Sequence, residues 1–187
     1  MRESVVQAAV WRAKWTLSSW TLLGILGWCC PYALHASTPE LRFCSAPAYH
    51  QFDFWIGDWD VFEEGGSVEE AHATVTRVQD GCGLRELYDG ADGSSGESLS
   101  MYDPAIAGWQ QTWVSNHGQI VVIHGNLQGQ SMVLSGTDHG PASQRLVRGV
   151  WKPEKNGIRE TAERSSDGGK TWTPWFDLSF RPHVSSR

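Results

Sequence analysis

From Phe52 onward, apolar and polar residues alternate in short runs separated by Gly, Asp, Asn and Pro. A period of two is typical of β-strands with one buried face, and it differs from the period of a helix. The turns that separate the runs include Asn116-His117-Gly118, Gly125-Asn126-Leu127-Gln128-Gly129 and Lys155-Asn156-Gly157. The pattern predicts ten strands, at residues 59–63, 71–78, 84–88, 98–102, 109–115, 120–124, 131–136, 144–151, 158–164 and 175–181.

These strands predict an antiparallel up-and-down barrel. After residue 36 helical spacing is confined to a short turn at residues 49–54, so a parallel sheet lacks crossover helices. A long meander must close or leave its edges exposed, which favours an all-β barrel of about ten strands over an open sheet. A two-sheet sandwich is the alternative. A barrel of about this size has room for one small ligand.

The first 36 residues differ from the rest. Arg2, Arg12 and Lys14 precede an apolar run at residues 15–28, and small residues follow up to Ala36. This order is typical of a secretory signal peptide, with an uncleaved membrane anchor as the alternative. Because the apolar core is only about a dozen residues, shorter than the ~20 that span a bilayer, cleavage is favoured. We therefore expect a signal peptide at 1–36, a single barrel domain at 37–187, a periplasmic or secreted location, and membrane contact only if the segment is uncleaved.

Charge and cysteine content narrow the function classes. Without residues 1–36 the chain has 12 basic and 20 acidic side chains, a formal charge of −8. Such a surface repels phosphate backbones, so no nucleic-acid partner is expected. Cys44 and Cys82 are the two cysteines left after export, and a pair in an exported domain predicts a structural disulfide.

The opening Phe52-Asp53-Phe54-Trp55-Ile56-Gly57-Asp58-Trp59-Asp60-Val61 is the most distinctive motif. It resembles the start of a family of uncharacterised bacterial exported proteins. Its Gly57-Asp58-Trp59 is similar to the Gly-x-Trp that opens the first strand of lipocalin-like (calycin) barrels. The resemblance extends over nearly all of residues 44–181. It implies a calycin-like barrel and no settled activity. In such barrels the Trp packs across the closed end, so Trp59 is expected to be structural.

A second motif runs from Ser165 to Trp172 and is similar to the Asp box of sialidase propellers, Ser-x-Asp-x-Gly-x-Thr-Trp. A propeller needs four or more repeated blades, and this chain has one box and no repeat. We therefore interpret Ser165, Asp167, Gly169 and Trp172 as a hairpin turn in which the Asp167 carboxylate accepts turn amides.

The clearest candidates for a binding cavity lie at residues 109–115. Trp109, Gln111 and Trp113 share one face of this strand, and an aromatic wall with a single amide suits an amphipathic ligand. The alternative is an ordinary core in which Gln111 is hydrogen-bonded internally. Glu86 could be a buried carboxyl group with a raised pKa, or the ion-pair partner of Arg148 or Arg159, which is the commoner outcome for such a residue.

The remaining polar residues form no recognisable catalytic or metal motif. The histidines have no His-x-His, His-x-x-x-His or His-Glu-x-x-His spacing, so no metal and no cofactor is predicted. Haem held by His124 or His183 is the alternative. The carboxylate pairs Asp58 with Asp60 and Glu160 with Glu163 are typical of an acidic, solvent-facing surface.

The leading hypothesis is an exported protein that holds a largely apolar or amphipathic small molecule inside the barrel. One alternative is an enzyme, an isomerase, lyase or hydrolase, that uses Glu86 in the cavity with a nearby Arg. Another is an interaction module whose barrel is filled by its own side chains. The sequence defines neither the ligand nor the oligomeric state. The candidate cavity residues are Glu86, Trp109, Gln111, Trp113, His124 and Arg148.

Overall fold

A computed structural model describes residues 43–140 and 143–185. In this part of the chain ten antiparallel strands form a closed barrel, which confirms the predicted fold class. The predicted signal peptide at 1–36 lies outside the described residues. The strands are β1 (Gly57–Glu63), β2 (Glu69–Val78), β3 (Gly83–Gly90), β4 (Ser95–Asp103), β5 (Gly108–Ser115), β6 (Ile120–Gln128), β7 (Ser131–His139), β8 (Gln144–Glu154), β9 (Gly157–Ser165) and β10 (Thr173–Pro182).

The strands follow one another around the barrel in chain order. Each pairs with the next, and β1 closes the barrel by pairing with β10, where Asp60 lies opposite Arg181. On its other side Asp60 lies opposite His72 of β2. All the hairpins that begin at odd-numbered strands lie at one end, and those that begin at even-numbered strands lie at the other, as an up-and-down order requires.

Each of the ten predicted segments is a strand, but the turn predicted at residues 125–129 begins too early. β6 continues to Gln128, and the turn is formed by Gly129 and Gln130. Gly125 lies inside the strand, where the carbonyl oxygen of Val133 on β7 approaches it so closely that a Cβ would collide. This glycine permits a close approach between two backbones rather than a turn.

Side chains alternate between lumen and solvent along each strand. On β5, Trp109 and Gln111 are buried, whereas Gln110, Thr112 and Val114 are exposed, as the period of two predicts. The strand register carries this alternation to neighbouring strands, so the lumen-facing residues of all ten strands lie on one continuous inner surface.

An aromatic cluster closes one end of the barrel. The predicted helical turn near residues 49–54 is two short 3₁₀ helices, Pro47–His50 and Asp53–Trp55. Between them, the buried Phe52 ring stacks on Trp55 with centroids 4.9 Å apart. It also meets Trp109 of β5 and Trp151 of β8 edge-on, at 5.7 and 5.5 Å. We call residues 43–56 the plug, because they seal this closed end.

The Gly-x-Trp motif belongs to the closed end. The indole N–H of Trp59 donates to the carbonyl oxygen of Trp55 in the plug, at 3.1 Å. The Trp59 ring folds back over Gly57, where a Cβ would overlap the indole. The small residue at Gly57 is therefore what allows Trp59 to pack at this end.

Two links fasten the plug to the barrel. Cys44 and Cys82 form the predicted disulfide, with their Cα atoms 5.1 Å apart. Cys82 follows a third 3₁₀ helix, Gln79–Gly81, which connects β2 to β3. Arg77 near the end of β2 forms an ion pair with Asp53 of the plug.

None of the helices among the described residues has the length and apolar character needed to cross a membrane.

The Asp box is the connection between β9 and β10 at the open end. Oδ1 of Asp167 accepts hydrogen bonds from the backbone N–H groups of Lys170 (3.0 Å) and Thr171 (2.9 Å). Oδ2 accepts a bond from the Thr171 hydroxyl at 2.6 Å. The Ser165 hydroxyl donates to Asp167 and accepts from the Gly169 N–H, each at 2.8 Å. The Asp167 carboxylate thus organises the turn.

Candidate functional site

The barrel encloses a cavity of about 400 Å³ between the aromatic cluster and the open end. Its walls are mostly aromatic and aliphatic, and its inner part contains two carboxyl groups and an amide. The apolar wall consists of Tyr88, Trp113, Val121, Ile123, Val147, Trp151, Ala162, Trp175, Phe176, Leu178 and Phe180. Hydrophilic residues at the mouth are Ser94, Ser95, Ser115, His117 and Gln119.

Small residues occupy lumen-facing positions where β8 meets β9. Gly149 and Ala162 are direct cross-strand partners, and both line the cavity. The Trp151 ring lies over Gly149, where a Cβ would meet it, and Ala162 contributes only a methyl group to the lining. The space between the large rings remains open. The filled barrel that an interaction module requires is therefore not what the described residues form.

Glu86 of β3 lies in the inner part of the cavity and is buried. Burial raises the pKa of its carboxyl group to about 7, because the charged form loses its hydration. The Ser98 hydroxyl on β4 donates to Glu86 Oε2 at 2.9 Å and opposes part of this rise. Near neutral pH the group therefore exists in both protonation states.

Glu160 of β9 is the second buried carboxyl group of the cavity. Burial raises its pKa well above the ordinary value, and the negative charge of Glu86 raises it further. Trp151, its direct partner on β8, favours the charged form, although the indole N–H makes no hydrogen bond of normal geometry. Two carboxyl groups that resist simultaneous ionisation thus share one lumen.

Polar and aromatic side chains on β5 complete the wall. Gln111 is buried, and its amide donates to the Ser100 hydroxyl on β4 at 2.9 Å. Trp113 meets Tyr88 of β3 edge-on with centroids 5.9 Å apart. Desolvation by burial and nearby carboxylates, Glu160 first among them, raise the pKa of Tyr88 to about 12, so its hydroxyl stays neutral. Gln111 is hydrogen-bonded internally, as expected for a core residue, and it also faces the cavity, as expected for a binding wall. Each of the two sequence-based interpretations therefore describes part of its environment.

Three of the six candidate cavity residues, Glu86, Gln111 and Trp113, line the cavity together. Trp109 shares their inward face but is completely buried against the plug at the closed end. His124 is exposed on the outer face of β6, because its neighbour Ile123 occupies the inward position. Adjacent residues of a strand face opposite sides, so Ile123 and His124 cannot both face inward. The expectation that His124 contributes to the lumen is therefore corrected.

Arg148 also lies outside the lumen, on the outer face of β8 next to the inward Gly149. It forms an ion pair with Glu163 and lies 4.9 Å from the centre of the Trp172 ring. Arg159 likewise pairs with Asp177, with Nη2 and Oδ2 2.6 Å apart. The expected ion pair of Glu86 with either arginine is therefore absent from the described residues, and Glu86 is bonded to a serine.

The sequence interpretation missed Glu160, which was assigned to the acidic surface together with Glu163. That assignment is wrong, because Glu160 is buried in alternation with Ile158 and Ala162, and Glu163 lies on the opposite face. The signal was available in the alternation itself. Two aromatic lining residues, Trp151 and Trp175, were also not singled out. Trp151 stands at an inward position of its strand. Trp175 has the opposite parity to the inward Phe176 and reaches the lining where the β9–β10 register shifts between Pro174 and Phe176.

A buried ion pair supports the mouth. Asp138 of β7 is fully buried; its carboxylate lies 2.8 Å from Nη2 of Arg164 and accepts a bond of 2.8 Å from the Gln119 amide. The Arg164 guanidinium stacks over Trp175, 3.1 Å from the ring centre. These contacts hold Trp175 and Gln119 at the mouth, where both line the cavity.

The fold and the cavity define a class: a closed ten-stranded antiparallel barrel with a partly polar internal cavity. No protein-family model matches the chain. No curated protein matches it at a significant level either. The functional inference therefore rests on the geometry of the cavity.

Proposed function

We propose that the protein binds a small amphipathic molecule in the barrel, with its polar end at Glu86 and Glu160. The observation that carries the proposal is this pair of buried carboxyl groups in an otherwise apolar cavity. Burial of each charge is costly unless a partner neutralises it. A protein that needed only a stable core would be better served by apolar side chains at both positions.

The carboxyl pair favours a ligand with a hydrogen-bond-donating and preferably cationic end. An ammonium group near Glu86 and Glu160 compensates the charges that burial disfavours. The indole N–H of Trp151 lies beside Glu160 and is available to its ionised form. Aromatic rings such as Trp113 and Tyr88 also attract cations and suit the apolar body of a ligand.

The size and composition of the cavity support the same class. Its volume of about 400 Å³ lies within the range of about 300–1,000 Å³ common for small-molecule sites. Such sites have mainly hydrophobic walls and few polar groups, which fix the orientation of the ligand. A ligand with one aromatic ring and a short polar arm fits this description.

We also propose that the protein acts outside the cytosol as a calycin-like exported barrel. The Cys44–Cys82 disulfide supports this location, because disulfides persist in oxidising compartments. The signal-peptide pattern of residues 1–36 points to the same compartment. Haem is not part of the proposal, since His124 and His183 both lie on the outside of the barrel.

The test uses three probes of similar shape: 2-phenylethylamine, 2-phenylethanol and 3-phenylpropanoate. Isothermal titration calorimetry at pH 7.5 should give the tightest binding for the amine and the weakest for the carboxylate. Glu160→Gln should reduce the preference for the amine at least tenfold. Absence of binding by all three, or a preference for the carboxylate, would contradict the proposed polar end.

A cavity-filling variant tests the location of the ligand. Ala162→Leu places a larger side chain in the lumen and should reduce amine binding at least tenfold, while the melting temperature stays the same or rises. Thr161→Leu is the matched control, because Thr161 is the neighbouring β9 residue outside the cavity lining. Equal binding by both variants would place the ligand elsewhere.

A second candidate is acid–base catalysis by Glu86. A carboxyl group with a pKa of about 7, buried in a cavity and free of an arginine partner among the described residues, suits proton transfer near neutral pH. Native mass spectrometry of protein from its own host would identify a retained molecule. Incubation of that molecule in D₂O should then give deuterium incorporation with wild type and none with Glu86→Gln if catalysis occurs. Retention without exchange supports binding alone.

A further inference from the structure

A second polar cluster lies on the outer face of the barrel, where β1 lies between β2 and β10. His183, which follows β10, has its Nδ1 2.6 Å from Oδ1 of Asp60 on β1. The same carboxylate oxygen lies 3.6 Å from Nδ1 of His72 on β2. The two imidazole rings are edge-on, with centroids 5.0 Å apart. One ligand atom from each of these three residues lies within 4.8 Å of the other two.

The surroundings of His72 orient it toward this cluster. Nε2 of His72 lies 2.9 Å from a carboxylate oxygen of Asp58. An N–H at Nε2 that donates to Asp58 leaves the lone pair of Nδ1 directed at the cluster. Asp58 is itself held by the Thr74 hydroxyl, which donates to it at 3.3 Å. A carboxylate that fixes a histidine through its second nitrogen is the usual outer support of a metal ligand.

The backbone orients His183 in a similar way. Its N–H donates to the carbonyl oxygen of Asp58 at 2.9 Å, which fixes the chain immediately after β10 against β1. Asp58 therefore supports both histidines, one through its side chain and the other through its main chain. Register explains the arrangement, since Asp60 is the direct partner of His72 on β2 and of Arg181 on β10.

We propose that Asp60, His72 and His183 bind one divalent transition-metal ion of the zinc type, with Asp58 as the residue that positions His72. Imidazole nitrogens favour Zn²⁺ and its neighbours over Mg²⁺ and Ca²⁺, which prefer oxygen ligands. Tetrahedral ligands at zinc distances lie roughly 3.3–3.5 Å from one another, so small side-chain rotations suffice. Three protein ligands leave a fourth position for water.

The position of the site predicts what the metal does. Its ligands come from β1, from β2 and from the residue that follows β10, so a bound ion joins the first and last strands of the barrel. Ligand binding to the folded form alone raises stability. The ion should therefore stabilise barrel closure independently of the luminal carboxyl pair.

The experiment is a titration of untagged, disulfide-bonded protein with ZnCl₂ by isothermal titration calorimetry. One Zn²⁺ should bind per chain, and ZnCl₂ but not MgCl₂ should raise the melting temperature. His72→Ala and His183→Ala should each weaken binding at least tenfold, and Asp58→Asn about tenfold. His124→Ala, which removes an exposed histidine from another strand, should bind as wild type does.

A measurement on the unaltered protein guards against unfolding of the variants. Co²⁺ should shift the NMR signals of the His72 and His183 rings more than those of any other described histidine, because paramagnetic shifts fall steeply with distance. Absence of saturable Zn²⁺ binding, full affinity in both histidine variants, an equal loss in His124→Ala, or larger Co²⁺ shifts at another described histidine would each overturn the proposal.

Discussion

Glu160 lies close enough to Glu86 inside the lumen that the charge of Glu86 raises the pKa of Glu160. Burial is the larger cause of the raised pKa at both positions. The pair therefore keeps at least part of its protons at neutral pH, and the cost of ionising it falls on the folded state alone. The stability of the barrel and its affinity for a cation should consequently both depend on pH.

The free energy of unfolding should fall as the pH rises from 5 to 8. Burial raises the pKa of the Glu86 carboxyl group from 4.5 to about 7 in the folded state. The protonated group therefore contributes fully to the free energy of unfolding below about pH 4.5, and this contribution is lost as the pH rises through about 7. The loss for Glu86 is on the order of 3 kcal/mol. Urea unfolding at pH 5, 6, 7 and 8 measures it, and Glu86→Gln should flatten the profile.

Glu154→Gln is the control for this measurement, because Glu154 is exposed at the end of β8. Its pH profile should match that of wild type. The contrary result is a free energy of unfolding that depends on pH as steeply in Glu86→Gln and in Glu160→Gln as in wild type. It would show that the luminal carboxyl pair is not the source of the pH dependence.

Binding of 2-phenylethylamine should become tighter as the pH rises through about 7, because the ammonium group favours the ionised form of Glu86. The complex should release protons to the buffer, so the apparent enthalpy should vary with the ionisation enthalpy of the buffer. Calorimetry in phosphate and in Tris at pH 6.5 and 8 measures both effects. Affinity for 2-phenylethanol should change much less.

Loss of the disulfide should destabilise the barrel without changing its fold. Cys44 and Cys82 are 38 residues apart, and a cross-link of this length contributes about 4 kcal/mol on the chain-entropy model. The double variant Cys44→Ser, Cys82→Ser should lose about this amount in urea unfolding and retain its far-ultraviolet circular dichroism. Two reactive thiols in denatured, unreduced wild type would contradict the bond.

Asp167→Ala should lower the melting temperature and leave binding of 2-phenylethylamine intact. Hydrogen bonds from the Thr171 side chain and backbone, and then from Ser165, lower the pKa of Asp167 to about 2. The charged form thus favours the folded turn above pH 4, and this contribution is lost as the pH falls toward 2. Lys170→Ala, an exposed residue of the same turn, should behave as wild type. Weakened binding without loss of stability would assign the turn a functional role.

The alternation of apolar and polar residues was sufficient to predict the barrel, because it gives each predicted strand one face toward the lumen and one toward solvent. It also placed Glu86, Gln111 and Trp113 on the inner surface. It did not determine depth along the barrel axis, which separates Trp109 at the plug from Trp113 at the cavity. Depth depends on strand register and on the plug, and both are set by contacts between distant residues.

The histidines show a second limit of sequence patterns. His72 and His183 have no metal-binding spacing, because the strands that carry them meet only when the barrel closes. Arg148 and Glu86 show the opposite error. The sequence suggested an ion pair between them, but Glu86 faces the lumen and Arg148 lies on the outer face of the barrel. Face and register must both be known before a polar pair can be assigned.

The β1–β10 seam differs from the other strand pairs in the distance along the chain that it spans. Every other pair in the described barrel joins consecutive strands, whereas the His183–Asp60 hydrogen bond at the seam joins residues 123 positions apart. Hairpins between consecutive strands can form locally, but the seam cannot form until β10 is present. Before β10 pairs, the preceding strands form an open sheet whose β1 edge is exposed. The closed cavity therefore exists only after the last strand has paired with the first.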